Sequence, residues 1–355
     1  MINLQQLLKS CVNEEASDLH LTQGSAPALR VNGRLVKVKS PALSAQDVKN
    51  LAYSVITDYQ KKQFEQNKEL DFAFSIKKIS RFRANYFYQK GSIACAFRRI
   101  NLHIPNYTEL GLPDVVASVI NYPHGLVLVC GPTGSGKTTT IAALINEINK
   151  SRKGHIVTVE DPIEYIYKHD KCIVNQREIG LDTNNFETAA RQLLRQDPDV
   201  CLIGELRDRE TVEYALKLSE TGHLVFATLH TNSAPESILR LINMFRGDDK
   251  SHIKTVLAQS LNAIISQRLL PGTKGSLIAA CEFLQVNTAV RNMIREDKIF
   301  QIYSAMQTGR EKSGMLTMNN SLMTLIIKRK VDLKDAFMFS PDPEELDGML
   351  KKAGI

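Results

Sequence analysis

The run from Val127 to Leu144, VLVCGPTGSGKTTTIAAL, constrains the fold more than any other stretch of the chain. Its first apolar residues read as the end of a buried strand. Gly131, Pro132, Thr133, Gly134, Ser135, Gly136, Lys137 and Thr138 then satisfy the pattern G-x-x-x-x-G-K-[ST], and from Thr139 onward the sequence reads as a helix. Glycines let the backbone curl so that its N–H groups face phosphate oxygens, and the helix N-terminus adds roughly half a positive charge. In such a loop the lysine reaches the β and γ phosphates and the hydroxyl that follows ligates Mg²⁺. Residues 131–139 are therefore the expected ATP cradle, with Lys137 opposite the phosphates and Thr138 on the metal. A strand, a glycine loop and a helix in that order place the loop in an α/β domain.

At 355 residues the chain exceeds what one hydrophobic core normally serves, so two domains are expected. No apolar run approaches the roughly 18 residues that a spanning helix needs. The leading segment carries Glu14, Glu15 and Asp18 and lacks the order of a secretion signal. Six cysteines stand singly at positions 11, 95, 130, 172, 201 and 281, a spacing that suggests neither zinc nor a disulfide framework. A reduced, cytoplasmic protein is the simplest expectation. The net charge of +7 would suit an anionic partner, but the basic residues are dispersed, and the charge decides little.

Residues 1–100 read as mixed helix and strand. After a leading helix come SDLHL and ALRVNGRLVKV, the latter two short strands turning at Asn32–Gly33, then one helix over Ala45–Gln66. DFAFSI, RFRANYFYQ and IACAFRRI alternate apolar and polar residues with period two, so a small antiparallel sheet flanked by helices is expected. Residues 101–114, with two prolines and a glycine and no sustained period, read as a linker. Beyond it GLVLVC, HIVTVED, DVCLIGEL and HLVFATL are compact apolar strands separated mostly by helical stretches, the pattern of a largely parallel sheet. From Asp248 onward the chain reads as mainly helical, apart from strand-like GSLIAACEFLQV.

Hydrolysis needs carboxylates that hold the metal and orient the attacking water. Two sets end expected strands, where α/β sheets place ligands: Glu160, Asp161 and Glu164 in TVEDPIEY, and Glu205 in VCLIGELRD. A solvated acidic turn is the alternative for each set taken alone. Gly204 stands where an aspartate commonly precedes such a glutamate, so Glu205 is expected to reach the metal through water. In ETGHLVFATLHTNSA, His223 precedes a buried strand and His230 ends it. A structural histidine is the alternative for both. The helical reading of AVRNMIRE puts Ala289, Val290, Met293 and Ile294 on one face and Arg291, Asn292, Arg295 and Glu296 on the other.

The ordered set GPTGSGKTT, VEDPIEY, LRQDPDVCLIGELRD and TGHLVFATLHTNSA resembles the secretion-superfamily ATPases of type II secretion and type IV pili. There these are the Walker A, aspartate, Walker B and histidine boxes. ASDLHL, RFR, AFRRI, CIVNQREIGLDT and AVRNMIRED make the chain most similar to the pilus retraction branch, over nearly its whole length and least after about Lys330. The resemblance implies an N-terminal PAS-like α+β domain followed by a RecA-like P-loop ATPase domain over 115–355, built into a homo-hexamer with ATP between domains and subunits. It implies catalytic roles for Glu205, Glu164, Glu160, Asp161, His230, His223 and Arg207, and nucleotide contacts from Arg81, Arg83 and Arg98. Alternating cations on a solvated strand face are the alternative for these last three. The helix of residues 289–296 corresponds to the family's retraction motif.

The implied function is a motor that hydrolyses ATP with Mg²⁺ to power pilus retraction, located in the cytoplasm and peripherally at the inner membrane. Its implied partners are the cytoplasmic face of the pilus platform protein and a paralogous retraction ATPase. An accessory retraction ATPase or a related secretion ATPase is the alternative. It is favoured by SILRLINMFRGDD, where relatives usually have an aspartate near Asn243 or Leu239 and a proline in place of Arg246. A nucleotide-binding subunit without turnover is a further alternative. A nucleic-acid translocase would require a clustered basic or aromatic stripe, which the sequence does not offer.

Overall fold

The computed structural model describes residues 3–31, 33–77, 79–100 and 103–354. They divide into two compact units, Met1–His103 with Pro162–Ile166, and Ile104–Asp161 with Tyr167–Ile355. Asn32 of the expected hairpin turn, and Asn101 and Leu102 of the expected linker, lie outside the described residues.

In the first unit α1 (Leu4–Asn13) leads into β1 (Asp18–Leu21), β2 (Ala28–Val31) and β3 (Arg34–Lys37), followed by α2 (Ala45–Tyr53) and α3 (Asp58–Asn67). β4 (Glu69–Ile76), β5 (Ser80–Gln89) and β6 (Ser92–Ile100) complete a six-stranded sheet among the described residues, ordered β3-β2-β1-β6-β5-β4. Every pairing in it is antiparallel. The helix expected over Ala45–Gln66 is two helices. Ser44 and Asp47 close a capping box on α2, and Thr57 and Gln60 close a second on α3, so the chain turns where a new cap begins.

Alternation sorts the sheet's two faces. One transverse row, Leu29, Leu19, Phe97, Ala84 and Phe72, lies in the core, where Tyr86 packs edge-on against Phe72 and Phe97 and donates its hydroxyl to Ala52 O at 2.8 Å. The next row, Arg30, Asp18, Arg98 and Arg83, faces the other way.

The second unit begins with α4 (Asp114–Ala117) and β7 (Gly125–Cys130), then α5 (Lys137–Ser151), β8 (Gly154–Glu160), β9 (Cys172–Glu178), α6 (Phe186–Leu193) and β10 (Val200–Ile203). α7 (Arg209–Glu220), β11 (Leu224–Leu229), α8 (Ala234–Asn243), α9 (Asp249–Ser260), β12 (Leu261–Pro271) and β13 (Leu277–Gln285) follow. The chain ends in α10 (Thr288–Arg295), α11 (Ile302–Ser313), α12 (Met318–Ile327), α13 (Leu333–Phe339) and α14 (Pro343–Lys352). Its sheet has seven strands among the described residues, ordered β13-β12-β7-β11-β10-β8-β9. All neighbours are parallel except β12 and β13.

Two strands depart from expectation. Leu261–Pro271, read as part of a helical region, is the interior strand β12, paired on one side with β7 and on the other with β13. Burial against both neighbours outweighs the weak local propensity of this segment. Cys172–Glu178, not identified as a strand, is the edge strand β9 on β8. The six residues of β7 and those of β11 are all buried, which accounts for their unbroken apolar sequence. The helices after β13 close a separate apolar cluster of Leu270, Ala280, Met318, Leu322, Leu346 and Leu350.

Candidate nucleotide site

The loop between β7 and α5 curls as its sequence requires. Gly131, Gly134 and Gly136 have φ of 145°, 80° and 85°, values that favour glycine. At Gly131 crowding adds to conformation, since a Cβ there would lie 2.3 Å from Gln267 O and 2.5 Å from Ser135 Oγ. Gly136 stands at the N-cap of α5 with no side-chain cap, so the first N–H groups of that helix turn toward the loop. Lys137 is buried, and its Nζ donates to Gly131 O at 2.8 Å and to Pro132 O at 3.0 Å. The ammonium is thereby folded back inside the loop it serves. Thr138 and Thr139 are half-buried at the start of the helix.

Parallel register brings the other groups to the same sheet edge. Cys130 pairs with Leu229, Ala227 with Ile203, and Ile203 with Val159, so Gly131, His230, Glu205 and Asp161 leave four neighbouring strands at nearly one level. Glu205 is two strand spacings from the phosphate loop, on the order of 10 Å. Arg207 Nε donates to Glu205 Oε2 at 2.7 Å, His230 Nε2 lies 3.5 Å from Glu205 Oε1, and Arg207 Nη1 lies 3.9 Å from Asp161 Oδ2. Glu205 is thus held between a cation and an imidazole, while Asp161 stands exposed beside the same arginine. Glu160 is buried and accepts from Thr158 Oγ1 at 2.7 Å and Gln176 Nε2 at 3.2 Å, an arrangement that ties it to the sheet.

Gly204 has a physical reason for replacing the usual aspartate. A Cβ there would meet Val159 O at 3.1 Å and the Phe186 ring at 3.3 Å. Thr228 Oγ1 also donates to Gly204 O, so the backbone is pinned from the neighbouring strand.

Not every expected residue comes to this edge. His223 sits at the opposite, N-terminal end of β11, where its Nδ1 lies 2.9 Å from Leu218 O and 3.1 Å from Thr221 Oγ1. There it joins the turn after α7, a structural position within the chain. Glu164 is exposed and belongs with Pro162–Ile166 to the first unit. Arg81, Arg83 and Arg98 also belong to the first unit, on the sheet face away from its core. Arg83 pairs with Asp71 at 3.1 Å and Arg98 with Asp18 at 3.0 Å.

The face assignment in α10 is corrected at two residues. Val290 and Ile294 are buried and Met293 packs on the core, but Ala289 is exposed. Arg291 turns inward: its Nη1 donates to Ala258 O and, at 2.6 Å, to Gln259 O, and its Nη2 donates to Asn262 Oδ1 at 3.3 Å. It caps the C-terminus of α9, where a cation suits the helix dipole. Asn292, Arg295 and Glu296 remain exposed.

Sequence reasoning missed the contribution of β12. Gln267, buried at 3% exposure, accepts from Thr140 Oγ1 at 2.7 Å and lies against the loop at both Gly131 and Gly136. No local signal marks it, because its role depends on β12 being a strand beside β7. Glu282 is also buried, accepts from Ala234 N–H at 2.6 Å, and burial pushes its carboxyl up to about 7.

A glycine loop between a parallel strand and a helix, with a carboxylate and a histidine at the ends of nearby strands, defines a P-loop ATPase. The family described as Type II/IV secretion system protein matches residues 1–336, and the chain belongs to that family. It is 42% identical to the type IV pilus retractation ATPase PilT of Pseudomonas aeruginosa, over 97% of this chain and 99% of that protein. It is 38% identical to the type IV pilus ATPase PilU of the same organism, over 99% and 92% of the two chains. The crystal structure of the pilus retraction motor PilT with bound ADP matches with a TM-score of 0.93 at 47% identity, covering 98% of this chain and 100% of that one. The chain accordingly has that ATPase fold, an N-terminal domain followed by a secretion ATPase domain.

Proposed function

We propose that this chain is a motor ATPase that powers retraction of a type IV pilus. The observation that carries the reading is the shared sheet edge of Lys137, Glu205 and His230, in a chain 42% identical almost end to end to a retractation ATPase. Lys137 and the loop N–H groups bind the phosphates. The hydroxyl of Thr138 is a hard oxygen donor that suits Mg²⁺, which when bound would neutralise phosphate charge, and Glu205, two strands away, would reach the ion through water. Glu205, oriented by Arg207 and His230, positions the attacking water. Glu164 is the second candidate for that role.

In this reading six copies form a ring, and residues 1–100 and 115–355 move about the 101–114 linker as nucleotide is turned over. Arg81, Arg83 and Arg98 would act on nucleotide at the boundary between subunits. The exposed Asn292, Arg295 and Glu296 of α10 face the machinery that is moved. The partner is the cytoplasmic face of an inner-membrane platform protein. Peripheral attachment at the pilus base is consistent with the finding that no helix among the described residues is long and apolar enough to cross a membrane. Removing the group that orients water should lower turnover by about 10²-fold or more. Steady-state phosphate release by Glu205→Ala tests this, and a rate equal to that of the intact chain would remove Glu205 from the mechanism.

An accessory retraction ATPase is the second reading. It is supported by the similarity to PilU and by Asn243, exposed at the end of α8, and Arg246, exposed just beyond it. Retraction that depends on a second ATPase even when this chain is intact would favour it.

A further inference from the structure

β12 ends its pairing with β7 at Ser266, opposite Cys130, so Gln267 and Arg268 run alongside the phosphate loop itself. On that side lies a cavity of about 390 Å³, lined by loop residues 132–135, Asn232, Arg268 and Phe339. Two residues that line it each carry a buried polar atom with no hydrogen-bond partner among the described residues. One is Ser135 Oγ, on a residue only 3% exposed, and the other is Arg268 Nε. Arg268 Nη1 donates to Phe339 O at 2.5 Å, which fixes the guanidinium plane. The buried carboxyl of Glu282 accepts from the Ala234 N–H at 2.6 Å.

Leaving buried donors unpaired is costly, and a guanidinium N–H and a hydroxyl at one cavity are together satisfied by an anionic oxygen. We propose that Arg268 and Ser135 grip a phosphate oxygen of the bound nucleotide, making Arg268 a phosphate-binding cation supplied from β12 in addition to Lys137. The inference rests on the ATP-site reading of the loop. It adds a binding residue that lies outside every sequence motif of the site. Its chemistry differs from that of Lys137: a planar fork, held at one end by a backbone carbonyl, fixes direction as well as charge.

The test uses the full chain, a fluorescent N-methylanthraniloyl ATP, and its displacement by inorganic tripolyphosphate at constant Mg²⁺. Tripolyphosphate has no base or ribose, so its inhibition constant reports phosphate contacts alone. Losing a charged hydrogen bond should raise that constant about 10–100-fold in Arg268→Gln and less in Arg268→Lys. Ser135→Ala should raise it a few-fold with an unchanged melting temperature, because that hydroxyl holds nothing within the protein. An unchanged constant in Arg268→Gln that melts like the parent overturns the proposal. If Arg268→Gln does not fold, an unchanged constant in Ser135→Ala overturns it instead. Lys137→Ala separates the two readings: wild-type tripolyphosphate affinity in that variant would sink the ATP site itself.

Discussion

Gly204 shows how much one residue's environment decides. Its sequence position invites an aspartate, but a Cβ there would crowd Val159 O and the Phe186 ring, which would have to give way by a few tenths of an ångström. Gly204→Asp should therefore destabilise the second unit by about 1–3 kcal/mol through overpacking rather than improve metal binding, seen as a lower melting temperature without gain in turnover. Lys137→Ala should abolish tight ATP binding, because it removes the charge opposite the β and γ phosphates; calorimetric titration with ATP would check this. Glu282 gives a pH signature. Its folded pKa is raised from an ordinary 4.5 to about 7 by burial, so the native state keeps a proton that the unfolded chain has released. That contribution is full below pH 4.5 and is lost as pH rises through 7, on the order of 3 kcal/mol. Glu282→Gln should thus gain stability relative to the parent between pH 5 and pH 8 in urea unfolding, and a constant difference would contradict the assignment. The placement of Lys137 and Glu205 at the C-terminal edge of the sheet was legible in the sequence, because a glycine loop after an apolar strand and a glutamate at the end of another encode that position. Glu282 was not, since its burial comes from packing between segments distant in the chain.

At the scale of elements, a periodic pattern revealed buried strands and missed those whose burial is set by neighbours. β7, β10 and β11 announce themselves as apolar runs, and the loop after β7 fixes which end of the sheet binds phosphate. β12 carries Asn262, Ser266, Gln267 and Arg268 among its apolar residues and follows α9 with no intervening residue, so it reads like a continuing helix. Missing it concealed Gln267 and Arg268 together. His223 and His230 bracket β11, and register alone decides that one belongs to the phosphate edge and the other to the far end. In α10 the amphipathic pattern was sound for Val290 and Ile294 but misplaced Arg291, whose long side chain reaches back over its own helix to α9. Arg291→Ala should cost about 2 kcal/mol by uncapping α9, whereas exposed Arg295→Ala should leave stability within about 0.5 kcal/mol. Chemical denaturation of both variants would separate a stabilising arginine from one available to a partner.

For the whole molecule, the division into two units follows from two independent apolar cores, one around Tyr86 and Phe97 and one around β7 and β11. The sequence could not reveal that Pro162–Ile166, just past the acidic end of β8, belongs with the first unit and carries Glu164 there. Live imaging of fluorescently labelled pili in cells lacking this gene, resupplied with the intact chain or with Glu205→Ala, puts the retraction motor to the test. Shortening is expected with the intact chain only. Equal shortening with the intact chain, with Glu205→Ala and with neither would contradict it.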